Sequence, residues 1–500
     1  MKNVKTIIGA EEILNETKSL LEAVKMQKEE QKKNKVTTIL SEMLKNIELV
    51  NFRDYCVLDN HKDKLQKKHY LVACIEILLK NVNDNGFSLC RKNEQIYLFN
   101  SEYWQNLNEE SFKDFLGNVS LKMGVQKFDA KHHLFKDELY KQFLSDAGLE
   151  EIKPSSTTTL INFSNGTFEI TPTRQFLREF RKSDFLTYQL PFDYNKEATA
   201  PQFQQFLDEV LPEKELQQIL AEYLGYVFTK NSVLKLEKVL LLYGTGANGK
   251  SVLFEVLMAL LGTENVANYS LQSLTAENGN SRAMLVNKLL NYASEINGKL
   301  ESNIFKLLIS GEPVEARLLY KNTQIITDYA RFMFNCNELP KEVENTNAFF
   351  RRFIILPFRV TIPPYKQDKE LSKKIIDTEL SGVFNWVLIG LTRLLKSKTF
   401  TDSGIVENEI KQYQKESDSV LMFLEDENYQ KSVIVERPLK ELFAEYKVYC
   451  FDGGYRLCSN RTFSTRLKKN GFIIKRKTYG NAVFIEMKTA NDVDNVQNVA

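Results

Sequence analysis

The sequence predicts an α/β protein in which a parallel sheet forms the core, a helical region precedes that core, and a smaller unit of helices and a β-ribbon follows it. Three patterns lead to this prediction. Apolar runs alternate with helical spacings over residues 231–400, helical spacings dominate residues 1–150, and residues 401–490 end in the order helix, helix, ribbon. A chain of 500 residues exceeds what one hydrophobic core usually organises, so several domains are expected.

The composition is that of an ordinary globular chain, with 43% hydrophobic and 26% charged residues and a net charge of +2. The longest apolar stretch, around Val383 to Leu395, is interrupted by polar residues and is too short to cross a bilayer. The first residues lack the apolar run of a signal peptide. Six scattered cysteines without a C-x-x-C pair favour reduced structural thiols over disulfides or a zinc site. We therefore expect a cytoplasmic protein without a membrane partner.

The first 150 residues combine apolar positions at helical spacing with many lysines and glutamates. This pattern predicts a helical accessory or loading domain. Two strand-like runs, Thr159–Phe163 and Thr167–Ile170, then indicate a hairpin, and helical spacing returns from Pro201. Residues 155–230, called here the collar region, are therefore expected to form a hairpin and helices between the accessory domain and the core.

The core region contains short apolar runs of the kind that form buried parallel strands. They are Lys238–Tyr243, Lys288–Ala293, Phe332–Asn335 and Phe353–Leu356, and they alternate with helical patterns at Gly249–Leu261 and Asn303–Ser310. The alternation predicts a parallel sheet with helices packed on its faces.

A phosphate-binding motif, G-x-x-x-x-G-K-[ST], joins the first of these strands to the first helix. Its residues are Gly244, Thr245, Gly246, Ala247, Asn248, Gly249, Lys250 and Ser251. The glycines allow backbone amides to turn toward a phosphate, and the helix N-terminus adds the positive end of its dipole. Lys250 is expected to reach the β- and γ-phosphates of ATP, and Ser251 to hold Mg²⁺.

Polar residues at later strand ends could complete a hydrolytic site. Glu295 follows the second strand and could polarise water and help hold Mg²⁺, although Ser294 stands where an aspartate is usual. Asn337 follows the third strand and could orient water. Arg351 and Arg352 precede the fourth strand and could reach a neighbouring subunit's nucleotide. A surface glutamate, a turn asparagine and a structural ion pair remain the alternative interpretations.

The C-terminal order of two helices and a β-ribbon suggests a winged helix over residues 401–490. Its basic residues are candidates for DNA contact, against the alternative of a solvated charged surface. They are Arg461, Arg466, Lys468, Lys469, Lys475, Arg476 and Lys477. Residues 491–500 are expected to form a disordered tail.

Several further motifs occur in a compact order along residues 155–485. They are Leu160–Gly166, Leu190–Tyr194, Glu222–Tyr226, Gly246–Ser251, Ala316–Lys321, Asn337–Pro340 and Arg351–Phe353. In this order the chain resembles superfamily 3 helicases of viruses, phages and plasmids. The closest resemblance is to the poxvirus-type and phage/plasmid primase-helicase C-terminal family.

The resemblance implies an AAA+-like core that assembles into a homo-hexameric ring around single-stranded or forked DNA, with ATP bound between subunits. It also implies a hairpin pointing into the channel, whose turn Lys321-Asn322 would lie between the runs Arg317–Tyr320 and Thr323–Ile326. Lys321 could then grip DNA phosphates, the alternative being a solvated turn lysine.

Relatives in this family often carry an N-terminal primase, which needs closely spaced carboxylates. Residues 1–150 contain no D-x-D pair and no His-x-His pair, so a separate primase or initiator is a possible partner. The function implied is ATP-dependent DNA unwinding during replication of a phage, plasmid or mobile element, in a bacterial cytoplasm. An ATP-dependent origin-binding initiator and a double-stranded DNA translocase with weak unwinding are the alternatives.

Overall fold

A computed structural model describes residues 36–58, 63–92, 95–148, 155–171, 173–294, 300–318, 322–340, 343–455 and 457–488. The predicted disordered tail, residues 491–500, lies outside the described residues, as do Glu295 and Lys321.

The helices occur in every part of the described chain. They are α1 (36–45), α2 (Phe52–Tyr55), α3 (Lys67–Asp84), α4 (Glu109–Lys122), α5 (Lys127–Lys131), α6 (His133–Asp146), α7 (Pro201–Val210), α8 (Lys214–Val227), α9 (Lys250–Leu261), α10 (Leu271–Thr275), α11 (Asn280–Ala283), α12 (Ser302–Ile309), α13 (Asn347–Phe350), α14 (Leu371–Ser397), α15 (Gly404–Glu416), α16 (Ser419–Asp426), α17 (Leu439–Gly453) and α18 (Asn460–Lys469).

The strands form one parallel sheet and several antiparallel ones. They are β1 (Ser88–Lys92), β2 (Gln95–Phe99), β3 (Trp104–Asn106), β4 (Thr159–Phe163), β5 (Gly166–Ile170), β6 (Gln175–Arg178), β7 (Val239–Tyr243), β8 (Val266–Ala267), β9 (Leu290–Ala293), β10 (Val314–Arg317), β11 (Thr323–Ile326), β12 (Arg331–Cys336), β13 (Phe353–Pro357), β14 (Tyr429–Pro438), β15 (Ile474–Lys477) and β16 (Gly480–Met487).

The central sheet has the order β13-β7-β12-β9-β8, and every neighbouring pair is parallel. The predicted parallel sheet is therefore confirmed, with β8 as an edge strand that the sequence analysis missed. Alternate residues of β7 belong to different hydrophobic core clusters. Leu240 and Leu242 pack on one face of the sheet, and Val239 and Leu241 pack on the other. Both faces are covered, which explains why the strand is apolar along its length.

The long helix α14 packs on the first of these faces, against α8 and α9. Its length and its mean hydropathy of 1.2 satisfy the criteria for a membrane span, but half of its apolar window is buried in the protein. Ideal Cβ atoms on Gly382 and Gly390 would lie 2.2 Å and 2.4 Å from the backbone of Thr199 and Ala221. Such close backbone contacts are those of a core helix between packed layers.

The N-terminal region contains the predicted helices together with a small antiparallel sheet. Its described helices α3, α4 and α6 share a core with the antiparallel sheet β1-β2-β3. The strands are short and mostly buried, so they lack the apolar-polar alternation that identifies strands in a sequence. This region contacts the central unit, where the Asn287 Nδ2 donates to the Tyr97 hydroxyl at 3.0 Å.

The collar region contains the predicted hairpin, β4 and β5, extended by β6 into a three-stranded antiparallel sheet. The C-terminal unit has the order α16, β14, α17, α18, β15, β16, and its sheet has the order β14-β16-β15. Aromatic residues of its helices, including Phe423, Tyr446 and Phe463, form the core beneath that sheet.

Candidate nucleotide-binding site

The loop Gly244–Gly249, called here the glycine-rich loop, leaves the carboxyl end of β7 and enters α9. Two of its residues have left-handed backbone conformations, Ala247 at φ 58° and Gly249 at φ 83°. A Cβ on Gly249 would lie 2.6 Å from the Val210 side chain, so only glycine fits where the loop packs on α7. A Cβ on Gly246, in contrast, would meet no atom within 4 Å. The loop is anchored at its base and open at Gly246.

The ammonium group of Lys250 is folded back onto the loop. It donates to the Gly244 carbonyl at 2.5 Å and to the Asn248 Oδ1 at 3.0 Å. Asn248 is itself buried and donates to the carbonyls of Thr245 and Phe358. Burial lowers the pKa of Lys250, because its hydrogen-bond acceptors are neutral groups that replace water incompletely. The arrangement holds a buried cation beside neutral acceptors, which suits an incoming anion.

Two neighbouring strands end at the same edge of the sheet as β7. In the register, Cys336 of β12 lies beside Tyr243, and Ala293 of β9 lies beside Phe334. Asn337 therefore emerges next to the glycine-rich loop and is exposed, and Ser294 emerges one strand further away, also exposed. The Glu295 side chain lies outside the described residues, although its chain position follows Ser294 directly.

The arginine pair lies at the opposite edge of the sheet, because it precedes β13. Arg352 is buried, donates to the Ser310 Oγ at 3.0 Å and to the Ala348 carbonyl, and lies 3.7 Å from a Glu237 carboxylate oxygen. Arg351 pairs with the same Glu237 at 2.8 Å, but its side chain is 57% exposed. The strand between these arginines and the loop end is about 13 Å long at about 3.3 Å per residue. Neither arginine is placed to serve the loop of its own chain.

The predicted hairpin is present, but its first strand, β10 (Val314–Arg317), begins three residues before the predicted run Arg317–Tyr320. β10 pairs with β11 in antiparallel register, and Arg317 lies opposite Thr323. Lys321 lies outside the described residues, and Asn322 is exposed. The buried Arg282 fixes the hairpin base, since its guanidinium donates to the Glu315 carbonyl, to the Leu274 carbonyl of α10 and to the Ala276 carbonyl just after α10.

The basic residues of the C-terminal unit differ in their surroundings. Arg466 forms a 3.0 Å ion pair with Asp418, and Lys477 forms a 2.8 Å ion pair with Glu436. Arg461, Lys468 and Lys469 are exposed on α18, and Lys475 and Arg476 are exposed on β15. These two groups of exposed cations are therefore the part of the predicted set that is open to an external partner.

One of the family-like motifs, Glu222–Tyr226, has a structural role. The fully buried Glu222 accepts from the Arg393 Nε and from the backbone and hydroxyl of Thr401, which ties α8 to α14 and to the chain beyond it. The Tyr226 ring lies 4.0 Å from the Arg331 guanidinium at the start of β12. The motif Glu222–Tyr226 thus fixes the collar against the strand that delivers Asn337.

The site fits a nucleoside triphosphate with its metal ion. Phosphate and Mg²⁺ require open space, a cation and a hydroxyl ligand at a helix N-terminus. The site offers open space at Gly246, a cation with neutral acceptors at Lys250, and the exposed Ser251 at the start of a twelve-residue helix. No cluster of three or more His, Cys, Asp or Glu side chains suited to a metal exists within the described ranges. A metal ion held by Ser251 and Glu295, the two predicted ligands, would take its remaining ligands from the phosphates and water.

Sequence reasoning missed Arg359, which follows β13 at the same edge as the glycine-rich loop. The signal was available, since Arg359 is the first charged residue after the apolar run that begins at Phe353. The structure brings it to the loop because β13 pairs with β7 through their last residues, Pro357 and Tyr243.

Three known protein families match parts of the chain. Residues 75–212 match a family described as D5 N terminal like, and residues 415–495 match a family described as Poxvirus D5 protein-like. Residues 242–352, which contain the glycine-rich loop, match a family of unknown function, DUF5906. These matches support the resemblance to the poxvirus- and phage-type primase-helicase family that the motifs indicated.

A curated relative is a protein of Acanthamoeba polyphaga mimivirus named "Putative helicase", which is 23% identical over 248 residues. The match covers 47% of this chain and 25% of the mimivirus protein, so the chain spans about a quarter of that relative's length. Among solved structures, two apo forms of the NrS-1 C-terminal region are each 13% identical. One match covers 84% of this chain and 100% of that one with a TM-score of 0.45, and the other covers 83% and 99% with a TM-score of 0.41.

Proposed function

We propose that this protein is an ATP-dependent DNA helicase of superfamily 3 that works as a hexameric ring in the replication of a phage, plasmid or mobile element. One observation carries the proposal. The loop with Lys250, the exposed Asn337 and the chain leading to Glu295 all leave the same edge of one parallel sheet. A phosphate-binding loop with an acid and an amide at neighbouring strand ends is an arrangement for nucleotide hydrolysis.

Each residue has a distinct role in this proposal. Backbone amides of the glycine-rich loop and the N-terminus of α9 hold the phosphates, and Lys250 leaves the Gly244 carbonyl to neutralise them. Mg²⁺ bound at Ser251 would supply charge neutralisation between the phosphates. Glu295 polarises the attacking water, and Asn337 orients it without adding negative charge.

The position of the arginines supports the proposed ring. Arg351 is exposed at the amino edge of the sheet, away from the loop of its own chain. A guanidinium there can neutralise transition-state charge only in the site of an adjacent subunit. Arg352 is held by its own chain and positions the residue beside it. ATP bound between protomers is the arrangement in which the exposed residue acts.

Two surfaces support DNA as the partner. The β10–β11 hairpin is a separate two-stranded sheet, with Arg282 fixing its base. The C-terminal unit has the helix and strand order of a winged helix, with exposed cations on α18 and β15. Cationic surfaces of this kind bind the nucleic-acid backbone without reading sequence. The hairpin would track the strand, and the winged helix would hold the duplex.

Replacement of the loop lysine tests the proposal directly. Lys250→Ala is expected to abolish DNA-stimulated ATP hydrolysis and strand separation of a forked duplex, because the β- and γ-phosphates lose their cation. Lys141→Ala, an exposed lysine on α6, is the matched control and should behave as wild type. Circular dichroism should show the same folded state for all proteins. Normal unwinding by the Lys250 variant would overturn the proposal.

An origin-binding initiator is the second candidate, and Ser294 is the observation that favours it. The serine stands next to Glu295 where a second carboxylate would strengthen metal binding, so hydrolysis could be slow. Turnover and strand separation measured on the same preparation separate the two functions. A helicase couples them, whereas an initiator binds ATP and DNA tightly with little of either activity.

A further inference from the structure

The chain beyond β13 lies directly against the glycine-rich loop. The Phe358 amide donates to the Tyr243 carbonyl at 2.6 Å, and the Phe358 carbonyl accepts from the Asn248 Nδ2 at 3.2 Å. A Cβ on Gly244 would lie 2.4 Å from that same carbonyl oxygen. Further on, the Ile362 amide donates to the Ala247 carbonyl at 2.8 Å. Residues 358–362 therefore form one wall of the loop.

Arg359 is the cation on this wall. Phe358 before it is buried in the core, whereas the Arg359 side chain is 60% exposed. Its guanidinium forms an ion pair with Glu409 of α15. An ion pair whose arginine is exposed is usually weak, because water competes with the carboxylate for the guanidinium. Arg359 can therefore leave Glu409 when a stronger anion comes within reach.

The sheet order determines which part of a nucleotide this arginine would meet. Asn337 and the chain to Glu295 lie on the β12 and β9 side of β7, so the terminal phosphate belongs on that side. β13 lies on the other side of β7. If the triphosphate lies across the loop with its terminal phosphate near Asn337, its α-phosphate and nucleoside lie on the side of Arg359.

We propose that Arg359 binds the α-phosphate of the nucleotide held by its own chain, and that Glu409 holds the arginine aside until a nucleotide arrives. The inference rests on the proposed function, since it assumes that the glycine-rich loop binds a nucleoside triphosphate. A guanidinium matches the geometry of phosphate oxygens and forms charge-assisted hydrogen bonds with them. Because ATP and ADP share the α-phosphate, both nucleotides gain from this contact.

Release of Glu409 also affects the helix that carries it. α15 packs on β13 through Tyr413, whose hydroxyl donates to the Pro340 carbonyl at 3.0 Å. Its C-terminus continues through Asp418 into α16 of the C-terminal unit. Nucleotide binding at Arg359 thus removes one link between the sheet edge and the helix that leads to the basic C-terminal unit.

Nucleotide affinity of the full chain tests the inference, with fluorescent ATP and ADP analogues as the probes. Arg359→Ala should weaken both nucleotides by about the same factor, roughly tenfold, as expected for loss of hydrogen bonds to a charged group. Glu409→Gln should strengthen both, because the competing carboxylate is gone. Lys374→Ala, which removes the exposed Lys374–Asp368 ion pair, is the matched control and should leave both affinities unchanged.

The outcomes separate this inference from the proposed function. If Lys250→Ala abolishes binding while Arg359→Ala leaves it intact, the loop binds nucleotide and the role of Arg359 is refuted. Weakening of ATP alone would also refute it, because the arginine would then meet the terminal phosphate. If Lys250→Ala binds both nucleotides normally, the proposed function fails. Thermal unfolding of Arg359→Ala should match wild type, since the side chain is exposed.

Discussion

The two edges of the central sheet hold their positive charges in different ways. At the carboxyl edge, Lys250 is buried and donates to neutral acceptors, the Gly244 carbonyl and the Asn248 Oδ1. At the amino edge, Arg351 and Arg352 share the carboxylate of Glu237. The cation at the carboxyl edge therefore still favours an anion from outside, whereas the charges at the amino edge are already partly neutralised.

The amino edge also shows that adjacent residues of one type can have different tasks. Arg352 is enclosed by Ser310, Ala348 and Glu237, and burial lowers the pKa of its guanidinium. Arg351 points to solvent apart from its bond to Glu237. A residue that must reach another subunit has to be exposed, so Arg351 is the candidate for that role and Arg352 supports the fold.

The largest expected effect separates these two arginines. Arg351→Ala should lower ATP turnover of the assembled protein by about a thousandfold, the size expected when an arginine that neutralises transition-state charge is lost. Its unfolding temperature should stay at the wild-type value. Lys235→Ala, which removes another cation paired with Glu237, is the matched control and should retain turnover.

Mixing variants tests whether the arginine acts between subunits. Lys250→Ala lacks a working loop but still supplies Arg351, and Arg351→Ala has an intact loop. Mixed assemblies should therefore recover part of the turnover that each variant lacks alone. Turnover that remains absent in every mixture would contradict an interface site.

The next effect is on stability. Arg352→Ala removes a buried guanidinium and leaves Ser310 and Glu237 without that partner, so the free energy of unfolding should fall by about 3 kcal/mol. Urea denaturation followed by circular dichroism measures the change. A variant as stable as wild type but inactive would reverse the roles assigned to the two arginines.

The sequence was sufficient for much of the fold because its strongest patterns are local. The four predicted core strands correspond to β7, β9, β12 and β13, since buried parallel strands are continuous apolar runs. The short strands β1, β3 and β8 were missed. They contain two to five residues each, too few to show a clear pattern, and β8 is recognised only by its pairing with β9.

The site was predictable as a set of residue types but not as a geometry. The loop motif identified Lys250 and Ser251, yet nothing local shows that Lys250 donates to the Gly244 carbonyl. Arg359 was missed because its proximity to the loop depends on β13 pairing with β7, a contact across more than a hundred residues of chain. The sequence also could not show that Arg351 is exposed and Arg352 is buried, because this difference arises from the folded chain around Glu237.

The smallest expected effect concerns the contrast between exposed and ion-paired cations in the C-terminal unit. Lys468→Ala, an exposed cation on α18, should reduce the slope of log affinity for duplex DNA against log salt by about one, because one phosphate contact is lost. Arg466→Ala should instead lower stability with an unchanged slope, since Arg466 is paired with Asp418. Equal slopes for wild type and the Lys468 variant would remove α18 from the DNA-binding surface.

Imaging the purified protein by electron cryomicroscopy with a non-hydrolysable ATP analogue and forked DNA tests the central claim most directly. The account predicts a ring with one DNA strand in its channel, a triphosphate against the glycine-rich loop, and Arg351 of the adjacent subunit facing that triphosphate. A loop without nucleotide at saturating concentration, or a nucleotide whose phosphates face no neighbouring subunit, would contradict it.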